Sequence, residues 1–504
     1  MSASVHGDRN DSKIIADILD AARSGRLDQT YKLADGDPTL LVRLGQFLQR
    51  LRRPQDALAA FDSAIALSPE FAEAHYERGV ALGILGKIEE MRAAHEHTLV
   101  LESGNAAALA SLALIAARTG DVRTARDYAA RSLSHEPDGA LAEAALALAD
   151  IRDGDITEAQ RRLDRLLADG RLVNDTWIDI AVSDAGDAFA RQNCFSQAFA
   201  AYAAVGERRR IRQLPALPGR RAINAIRQRT AYFRRTEPWP AGTVQTAPSP
   251  ALGHVFLLGF MRSGTTLLET VLASNPAISA MDEREVLAEP ARRYLFSDET
   301  LGELAALEEP ECAAWRKTYW TAVEEAGGRA AGRVFVNKMP FNSLRLPLIA
   351  KLFPEARIIL AIRDPRDVVL SCFRHRFEAN PLTFEFLRLE DCARFYAATM
   401  EFVDICRQKL PIAVHEHRYE SLVEDFDTSA RAVCDFVGVE WNEAMRDFVT
   451  ASGVIAARSQ SAAQVRRGLY FGAIGQWRRY NAQLAPVIPI LEPWIARFGY
   501  PAAA

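Results

Sequence analysis

Residues 254–272 read HVFLLGFMRSGTTLLETVL, and this stretch decides the fold of the second half of the chain. It begins with a short apolar run, His254–Gly259, which predicts a buried strand. A turn containing Gly264 follows, and the apolar residues after it predict a helix over Leu267–Ser274. A strand, a glycine-containing turn and a helix form a phosphate-binding arrangement, because the backbone N–H groups of the turn and the helix N-terminus point at the anion.

The spacing of Gly259 and Gly264 is that of the phosphate-binding loop of nucleotide triphosphatases, GxxxxGK[ST]. Thr265 stands where those enzymes carry a lysine, and Thr266 follows it. Because that lysine contacts the β- and γ-phosphates, its absence argues against hydrolysis of ATP or GTP. The loop has a basic residue of its own, Arg262, which suits a donor with one 5′ phosphate–sulfate anhydride and no γ-phosphate.

A second phosphate site is predicted at the end of another strand. Residues 357–363 (RIILAIR) are apolar and rich in branched side chains, which is typical of a central parallel strand. A helix is predicted over Arg366–Phe377. Arg363 closes the strand and Ser371 lies about two turns into the helix. A guanidinium and a hydroxyl are good phosphate ligands, and ligands bind at the carboxyl ends of strands in doubly wound sheets.

Both motifs resemble those of the sulfotransferase superfamily. The loop FMRSGTT (260–266) is similar to the family's P-[KR]-S-G-T-T, with Met261 in place of the proline, and the block IRDPRDVVLS (362–371) is similar to its 3′-phosphate motif. The resemblance implies 3′-phosphoadenosine 5′-phosphosulfate (PAPS) as the donor. The implied contacts to the phosphosulfate come from Arg262, Ser263, Gly264, Thr265 and Thr266, and those to the 3′-phosphate from Arg363 and Ser371.

Two further elements match the family. Residues 464–470 (QVRRGLY) resemble the basic-basic-glycine loop that closes over the 3′-phosphate, so Arg466 or Arg467 is expected there, with the choice left open. Tyr419 begins a Tyr-Glu-x-Leu element whose tyrosine lies near the adenine in the family. A tyrosine in the hydrophobic core is the alternative interpretation of that residue.

The catalytic groups implied by the resemblance lie on two other segments. Residues 281–285 (MDERE) are similar to a glutamate-rich turn of tyrosylprotein sulfotransferases, which makes Glu283 the expected general base and Glu285 the alternative. Those enzymes carry an arginine at the position of Glu285. Residues 337–341 (NKMPF) are similar to their Asn-Lys-x-Pro-Phe element, so Lys338 is expected to stabilise the leaving phosphate together with Arg262.

The first half of the chain repeats with a period of 34 residues. One column holds Gly45, Gly79, Ala113 and Ala147; a second holds Gly86, Gly120 and Gly154; a third holds Ala57, Ala125 and Ala159, with Met91 in its remaining slot. Pairs of helices explain the columns, because the small residues let two helices approach closely and the glycine permits the turn between them. This pattern resembles the tetratricopeptide repeat (TPR). A fifth copy is predicted at Gly186, Asn193, Ala198 and Tyr202, after an insertion of about five residues.

The predicted fold class is therefore α + α/β: a helical TPR solenoid followed by a P-loop-like sulfotransferase domain with a central parallel sheet. Residues 1–36 are expected to form a helical cap or a divergent repeat, and residues 37–206 the TPR array. Residues 207–250 carry clustered arginines and then a stretch rich in turn residues, which predicts a basic helix and a linker. The sulfotransferase domain is expected over residues 251–504.

Composition narrows the possible functions. The net charge of -4 gives no support to nucleic-acid binding. The six cysteines have no metal-ligand or disulfide spacing, so we expect no metal and a reducing compartment, the cytoplasm. The first residues lack the apolar core of a signal peptide, and no run of 18 apolar residues predicts a membrane span.

The sequence thus predicts a PAPS-dependent sulfotransferase that acts on a hydroxyl group. The acceptor could be a peptide or protein tyrosine, a glycan or a small hydroxylated molecule, and the concave face of the array could hold the acceptor or a protein partner. A P-loop kinase or triphosphatase is one alternative, which Thr265 in the lysine position argues against. A TPR scaffold with a degenerate, non-catalytic nucleotide domain is the other.

Overall fold

The computed structural model describes residues 36–170, 175–214, 221–240, 249–451, 468–469 and 471–502. The chain divides into two compact units, Met1–Ala204 and Val205–Ala504. The cap or divergent repeat predicted for residues 1–36 lies outside the described residues, apart from Gly36. No helix in the described segments is long and apolar enough to cross a membrane.

Five helix pairs make up the first unit within the described residues, and the last helix continues into the second unit. They are α1 (Pro38–Arg50) with α2 (Pro54–Leu67), α3 (Ala72–Ile84) with α4 (Ile88–Leu101), α5 (Ala106–Thr119) with α6 (Val122–His135), α7 (Ala140–Asp153) with α8 (Ile156–Ala168), and α9 (Thr176–Arg191) with α10 (Phe195–Gln213). The first helices of the first four pairs begin 34 residues apart, and α9 begins 36 residues after α7. The predicted solenoid of TPR-type helix pairs is confirmed, whereas the start of α9 is displaced by two residues from the 34-residue period and not by the five expected.

The small residues of the repeat allow the two helices of a pair to touch. A methyl group at Gly45 would lie 2.3 Å from the ring of Phe61, and one at Gly79 would lie 2.5 Å from the ring of His95. The turns within pairs need a left-handed backbone, with φ of 94° at Gly120 and 60° at Asn193. Glycine has no steric penalty there and asparagine has a small one, which explains why the sequence keeps these residues in the turn column.

A five-stranded parallel sheet forms the centre of the second unit. Its strands are β1 (Gly253–Gly259), β2 (Ile278–Asp282), β3 (Val334–Lys338), β4 (Arg357–Ile362) and β5 (Ala413–Arg418), in the spatial order β2-β3-β1-β4-β5. Register pairs Asp282 with Lys338 and Gly259 with Ala361. Because every strand runs in the same direction, all five carboxyl ends meet at one edge of the sheet. The predicted α + α/β class is confirmed.

Helices and short 3₁₀ segments surround this sheet. The helices are α11 (Ala222–Arg235), α12 (Thr265–Ala273), α13 (Ala288–Tyr294), α14 (Asp298–Ala306), α15 (Glu309–Glu325), α16 (Leu346–Leu352), α17 (Pro365–Arg374), α18 (Leu389–Lys409), α19 (Tyr419–Glu424), α20 (Phe426–Val437), α21 (Phe448–Ala451), α22 (Asn481–Leu484) and α23 (Ile488–Arg497). The 3₁₀ segments are Pro340–Arg345, Thr383–Phe386, Glu443–Met445, Phe471–Ala473, Gln476–Tyr480 and Ala485–Val487. One core joins Val255 and Leu257 of β1 to Leu268 and Val271 of α12, and this packing fixes the start of α12 at the end of β1.

The arginine-rich helix α11 is part of the second unit. The sequence placed it in a connecting segment, but its apolar face is buried: the ring centroid of Phe233 lies 6.3 Å from that of Phe402 on α18 and 5.6 Å from that of Trp239. The backbone N–H of Trp239 donates to the Lys409 carbonyl at 2.7 Å. Arg229 donates to the carbonyls of Leu295 and Leu344, and burial lowers its pKa to about 10. This helix therefore completes the core beside α18.

Candidate active site

Residues predicted from four separate motifs meet at the carboxyl edge of the sheet. Lys338 ends β3, the loop with Arg262 follows β1, Arg363 follows β4, and Glu283 follows β2. Tyr419 follows β5 and begins α19. The strand β2 was not predicted from the sequence, and the parallel order of all five strands brings the polar side chains to one edge.

The loop after β1 has the backbone of an anion-binding turn. Arg262 has a φ of 69° and Gly264 a φ of 92°, so both lie in the left-handed region. A methyl group at Gly264 would also lie 2.5 Å from the ring of Tyr419, which requires glycine at this position. α12 begins at Thr265, so the N–H groups of Thr265 and Thr266 belong to its first turn and have no partner within the helix. They are available to an anion.

Arg262, Ser371 and Arg363 are directly linked. Arg262 Nε donates to Ser371 Oγ at 3.1 Å, and Arg363 Nη1 donates to the Arg262 carbonyl at 3.1 Å. Burial lowers the pKa of Arg262. The residues expected to hold the 5′-phosphosulfate and those expected to hold the 3′-phosphate therefore form one connected group.

The C-terminal segment 471–480 is tied to the turn between β4 and α17. Arg363 Nη2 donates to the Ala473 carbonyl at 2.6 Å. The Asp367 carboxylate accepts from the N–H groups of Gly475 at 2.7 Å and Trp477 at 2.9 Å. The guanidinium carbon of buried Arg366 lies 3.7 Å from the centroid of the Trp477 ring. Arg466 and Arg467 lie outside the described residues, and the segment that follows them is anchored at this edge.

Lys338 is surrounded by three acids. Its side chain is fully buried, and its ammonium contacts the carboxylates of Asp282, Glu283 at 2.8 Å and Glu269 at 3.3 Å. Burial lowers the pKa of Lys338, but the negative charge of the acids around it more than compensates and raises it above its ordinary value. Lys338 is therefore charged at any pH the protein meets.

The two candidate bases have different surroundings. Glu283 has a φ of 39°, and its N–H donates to the Lys338 carbonyl at 2.8 Å. This strained backbone directs its carboxylate at Lys338, and strain of this kind is common at functional sites. Glu285 is ion-paired with Arg345 and its side chain is 57% exposed. The geometry favours Glu283 as the acid beside the loop.

A chain of hydrogen bonds runs from the start of β1 to the acidic turn. The ring of His254 hydrogen-bonds the hydroxyl of Tyr319 (2.9 Å), which also accepts from the amide of Asn337 (2.9 Å). The oxygen of the Asn337 side chain accepts from Asn342 (3.3 Å), and that of Asn342 accepts from Arg345 (3.2 Å). Arg345 is ion-paired with Glu285. Sequence analysis missed Tyr319 and Arg345, because nothing in the pattern of α15 or of the 3₁₀ segment marks them. It also missed Glu269, although a single acid in the apolar run of α12 was a visible signal.

Tyr419 belongs both to the core and to the loop. It is buried within the cluster that joins β1 and α12, and the guanidinium carbon of Arg363 lies 5.1 Å from its ring centroid. Gly264 packs directly against this ring. No group of three or more His, Cys, Asp or Glu side chains in the described segments is arranged to hold a metal ion.

Residues 254–443 match the model of the sulfotransferase family. The second unit contains a sulfotransferase-family domain. The matched residues include the loop, Glu283, Lys338, Arg363, Ser371 and Tyr419. The chain therefore joins an array of TPR-type helix pairs to a sulfotransferase domain.

Several curated proteins resemble the same half of the chain. An uncharacterised protein of Aquifex aeolicus is 26% identical over 253 residues, which are 48% of this chain and 33% of that protein. Protein-tyrosine sulfotransferase 1 of Danio rerio is 25% identical over 49% of this chain and 72% of its own length. The protein-tyrosine sulfotransferase of Drosophila melanogaster is 24% identical over 47% of this chain and 51% of its own. The chain thus spans about a third of the Aquifex protein and half to three quarters of the other two.

Solved structures resemble each half separately. The sulfotransferase domain of the Synechococcus PCC 7002 olefin synthase aligns with a TM-score of 0.33 and 22% identity, covering 48% of this chain and 91% of that one. A tetratricopeptide repeat protein of Parabacteroides merdae aligns with a TM-score of 0.31 and 17% identity, covering 41% of this chain and 86% of that one.

Proposed function

We propose that this protein is a sulfotransferase that takes its sulfuryl group from PAPS and transfers it to an acceptor hydroxyl. The observation that carries the proposal is the meeting of Arg262, Lys338, Arg363 and Glu283 at one edge of the sheet, next to the N-terminus of α12. A nucleotide with a 3′-phosphate and a 5′-phosphosulfate needs two separate cationic sites, and this edge offers Arg262 and Lys338 for one and Arg363 for the other.

The polar groups of the site fit such a donor. Arg363 Nε is buried and has no hydrogen-bond partner among the described residues, which leaves a donor for a phosphate oxygen. Ser371 supplies a hydroxyl beside Arg262, and the turn and the first N–H groups of α12 suit the phosphosulfate. Arg466 or Arg467 is proposed to close over the 3′-phosphate, and Tyr419 to lie beside the adenine.

The proposed reaction is a single displacement. The acceptor oxygen attacks sulfur while Glu283 takes its proton, and the bond between sulfur and the bridging oxygen breaks. The electron pair goes to the 5′-phosphate, where Lys338 and Arg262 stabilise the new charge. The products are a sulfate ester and 3′-phosphoadenosine 5′-phosphate (PAP). The reaction as proposed uses no metal.

The donor site is tested by calorimetric titration with PAP in the absence of magnesium. Arg363→Ala should weaken binding by about 2–5 kcal/mol, the usual cost of removing one partner of a buried charged contact. Arg333→Ala is the matched control, because Arg333 is exposed and precedes β3 at the opposite edge of the sheet. Failure of the wild type to bind PAP would reject the donor site and favour a TPR scaffold with a degenerate domain.

We propose a peptide or protein tyrosine as the acceptor. The support is the set of relatives named protein-tyrosine sulfotransferase and the presence of a TPR array, a fold that binds peptides on its concave face. A glycan or a small hydroxylated molecule is the second candidate, since Glu285 stands where those relatives' family carries an arginine. All six cysteines are free thiols, five of them buried, which supports a reducing location such as the cytoplasm.

A further inference from the structure

Glu269 is a buried acid beside the proposed site to which the mechanism above gives no role. It lies on α12, whose first turn completes the phosphate-binding loop, and its side chain is fully buried. Oε2 lies 3.3 Å from Lys338 Nζ, an ion-pair contact without good hydrogen-bond geometry, and Oε1 has no hydrogen-bond partner among the described residues. In such surroundings an ionised carboxylate that lacks hydrogen bonds costs more free energy than a neutral carboxylic acid does.

The protonation of Glu269 sets the charge of the whole cluster. The charged groups that face it are Lys338 on β3, Asp282 at the end of β2 and Glu283 in the turn that follows. With all three acids ionised, three negative charges and one positive charge leave a net charge of -2. With Glu269 neutral, the net charge is -1. The donor brings several negative charges to the N-terminus of the same helix, so the less negative cluster favours its binding.

We propose that Glu269 is a positioning residue for Lys338 and that it enters the reaction as the neutral carboxylic acid. This inference rests on the proposed function, because it assigns a role within the same donor site. Glu269 contacts the ammonium of Lys338 from the buried side of the site. Lys338 therefore stays directed at the loop when Glu283 leaves it to take the acceptor proton.

The surroundings of Glu269 favour its neutral form. Burial raises its pKa to about 8, although the attraction of Lys338 acts in the opposite direction. The neutral acid therefore predominates at pH 7. A polyanion bound at the loop repels the ionised form further and raises the pKa again. Binding of the donor and protonation of Glu269 must consequently strengthen each other.

The test is the dissociation constant of PAP between pH 7.0 and 9.5, measured by calorimetry without an acceptor. The phosphates of PAP titrate near pH 6 and keep a constant charge in this range. The wild type should bind about tenfold more weakly at pH 9.5 than at pH 7.0, since each unit by which binding raises the pKa is a factor of ten. The dissociation constant of PAP for Glu269→Gln should change less than about twofold over the same range. Glu355→Gln, which removes an exposed carboxylate at the amino end of β4, should behave like the wild type.

If the dissociation constant of PAP changed with pH by the same factor in the wild type and in Glu269→Gln, the inference would be overturned. A dissociation constant that does not change with pH in the wild type would overturn it as well. Should Glu269→Gln fail to fold, proton uptake by the wild type decides. PAP is then titrated at pH 8.5 in two buffers of different ionisation enthalpy. Uptake of a fraction of a proton supports the inference, and zero uptake overturns it. PAP binding without pH dependence rejects only the role of Glu269, whereas no PAP binding at any pH rejects the donor site and this inference with it.

Discussion

Glu283 combines an unfavourable backbone with a close cation. Its φ of 39° is unusual for a residue with a side chain, and its carboxylate lies 2.8 Å from Lys338 Nζ. Lys338 is therefore ion-paired with the carboxylate that is proposed to accept the acceptor's proton. A donor that draws Lys338 toward its own oxygens would release Glu283 for the acceptor. For the proposed reaction we therefore expect the donor to bind before the acceptor.

Replacement of Glu283 by glutamine tests the base directly. Glu283→Gln should reduce turnover by about 10²–10⁴-fold, the usual contribution of a positioned general base, and should leave PAP affinity within about threefold of the wild type. Turnover is measured as PAP released from PAPS in the presence of tyrosine-containing peptides or simple phenols. Glu285→Gln is the comparison. If it loses turnover while Glu283→Gln keeps it, the base is Glu285.

Sequence analysis could predict residues that follow a strand, because a motif carries both the strand and the polar residue after it. Arg262 and Arg363 were predicted in this way, and Lys338 was predicted from the resemblance to a family element. Glu269 and Arg345 could not be assigned in the same way, since their partners depend on register. Asp282 meets Lys338 only because β2 pairs with β3 in one particular alignment, and no local pattern contains that information.

The helix pairs differ at one packing position. The ring that covers the small residue of the first helix is Phe61 in the first pair and Tyr202 in the fifth, but His95 in the second. His95 is fully buried, both of its ring nitrogens lack a hydrogen-bond partner among the described residues, and burial lowers its pKa to about 4. The second pair thus carries a polar ring where an apolar one packs better.

This difference predicts sensitivity to acid. Between pH 6.5 and about 4 the unfolded chain binds a proton at His95 that the native protein does not, so stability is lost as the pH falls through this range. His95→Phe should remove that loss and raise the melting temperature more at pH 4.5 than at pH 7. Thermal unfolding at both pH values measures it, with His135→Phe as the control, because His135 lies at the C-terminal end of α6. Equal gains at both pH values would contradict the prediction.

Asp367 holds the C-terminal segment by two backbone N–H groups, those of Gly475 and Trp477. Hydrogen bonds to a charged acceptor contribute about 1.5–3 kcal/mol each. Asp367→Ala should therefore accelerate amide exchange in residues 471–480 at least about tenfold, as measured by hydrogen-exchange mass spectrometry. Asp435→Ala, which removes an exposed acid of α20, should leave this segment unchanged. Unchanged exchange in Asp367→Ala would mean that Arg363 and Arg366 hold the segment without it.

Elements differed in how well sequence analysis could predict them. The repeat could be recognised because each helix pair is stabilised by residues within one period, such as Gly45 and Phe61. The order of the strands could not be derived from any one segment, because β1 pairs with β3 and β4, which lie about 80 and 100 residues later in the chain. Residue patterns predicted individual strands and helices of this unit, and the resemblance to a known family supplied their assembly into one central parallel sheet.

The second unit includes α10 residues from Val205 onward and the helix α11. A chain that begins at residue 251 would lack Phe233, which is fully buried, and would expose Phe402 of α18. Loss of such a side chain typically costs about 3–5 kcal/mol. We therefore expect the chain 205–504 to unfold cooperatively in urea and the chain 251–504 to unfold at a lower midpoint or to aggregate. Equal midpoints would show that α11 does not contribute to this core.

The guanidinium of Arg363 contacts the carbonyls of Arg262 and Ala473, two residues that are 211 positions apart. A ribosome adds about 5–20 residues per second, so the second carbonyl emerges roughly 10–40 seconds after the first. Arg363 itself is translated 101 residues after Arg262, so for the remaining 110 residues, roughly 5–20 seconds, the nascent chain holds this arginine without its Ala473 partner. The contacts of Arg363 at this edge of the sheet therefore become complete only late in synthesis, and a premature stop codon before position 473 would remove the Ala473 carbonyl even though every strand of the sheet had already been translated.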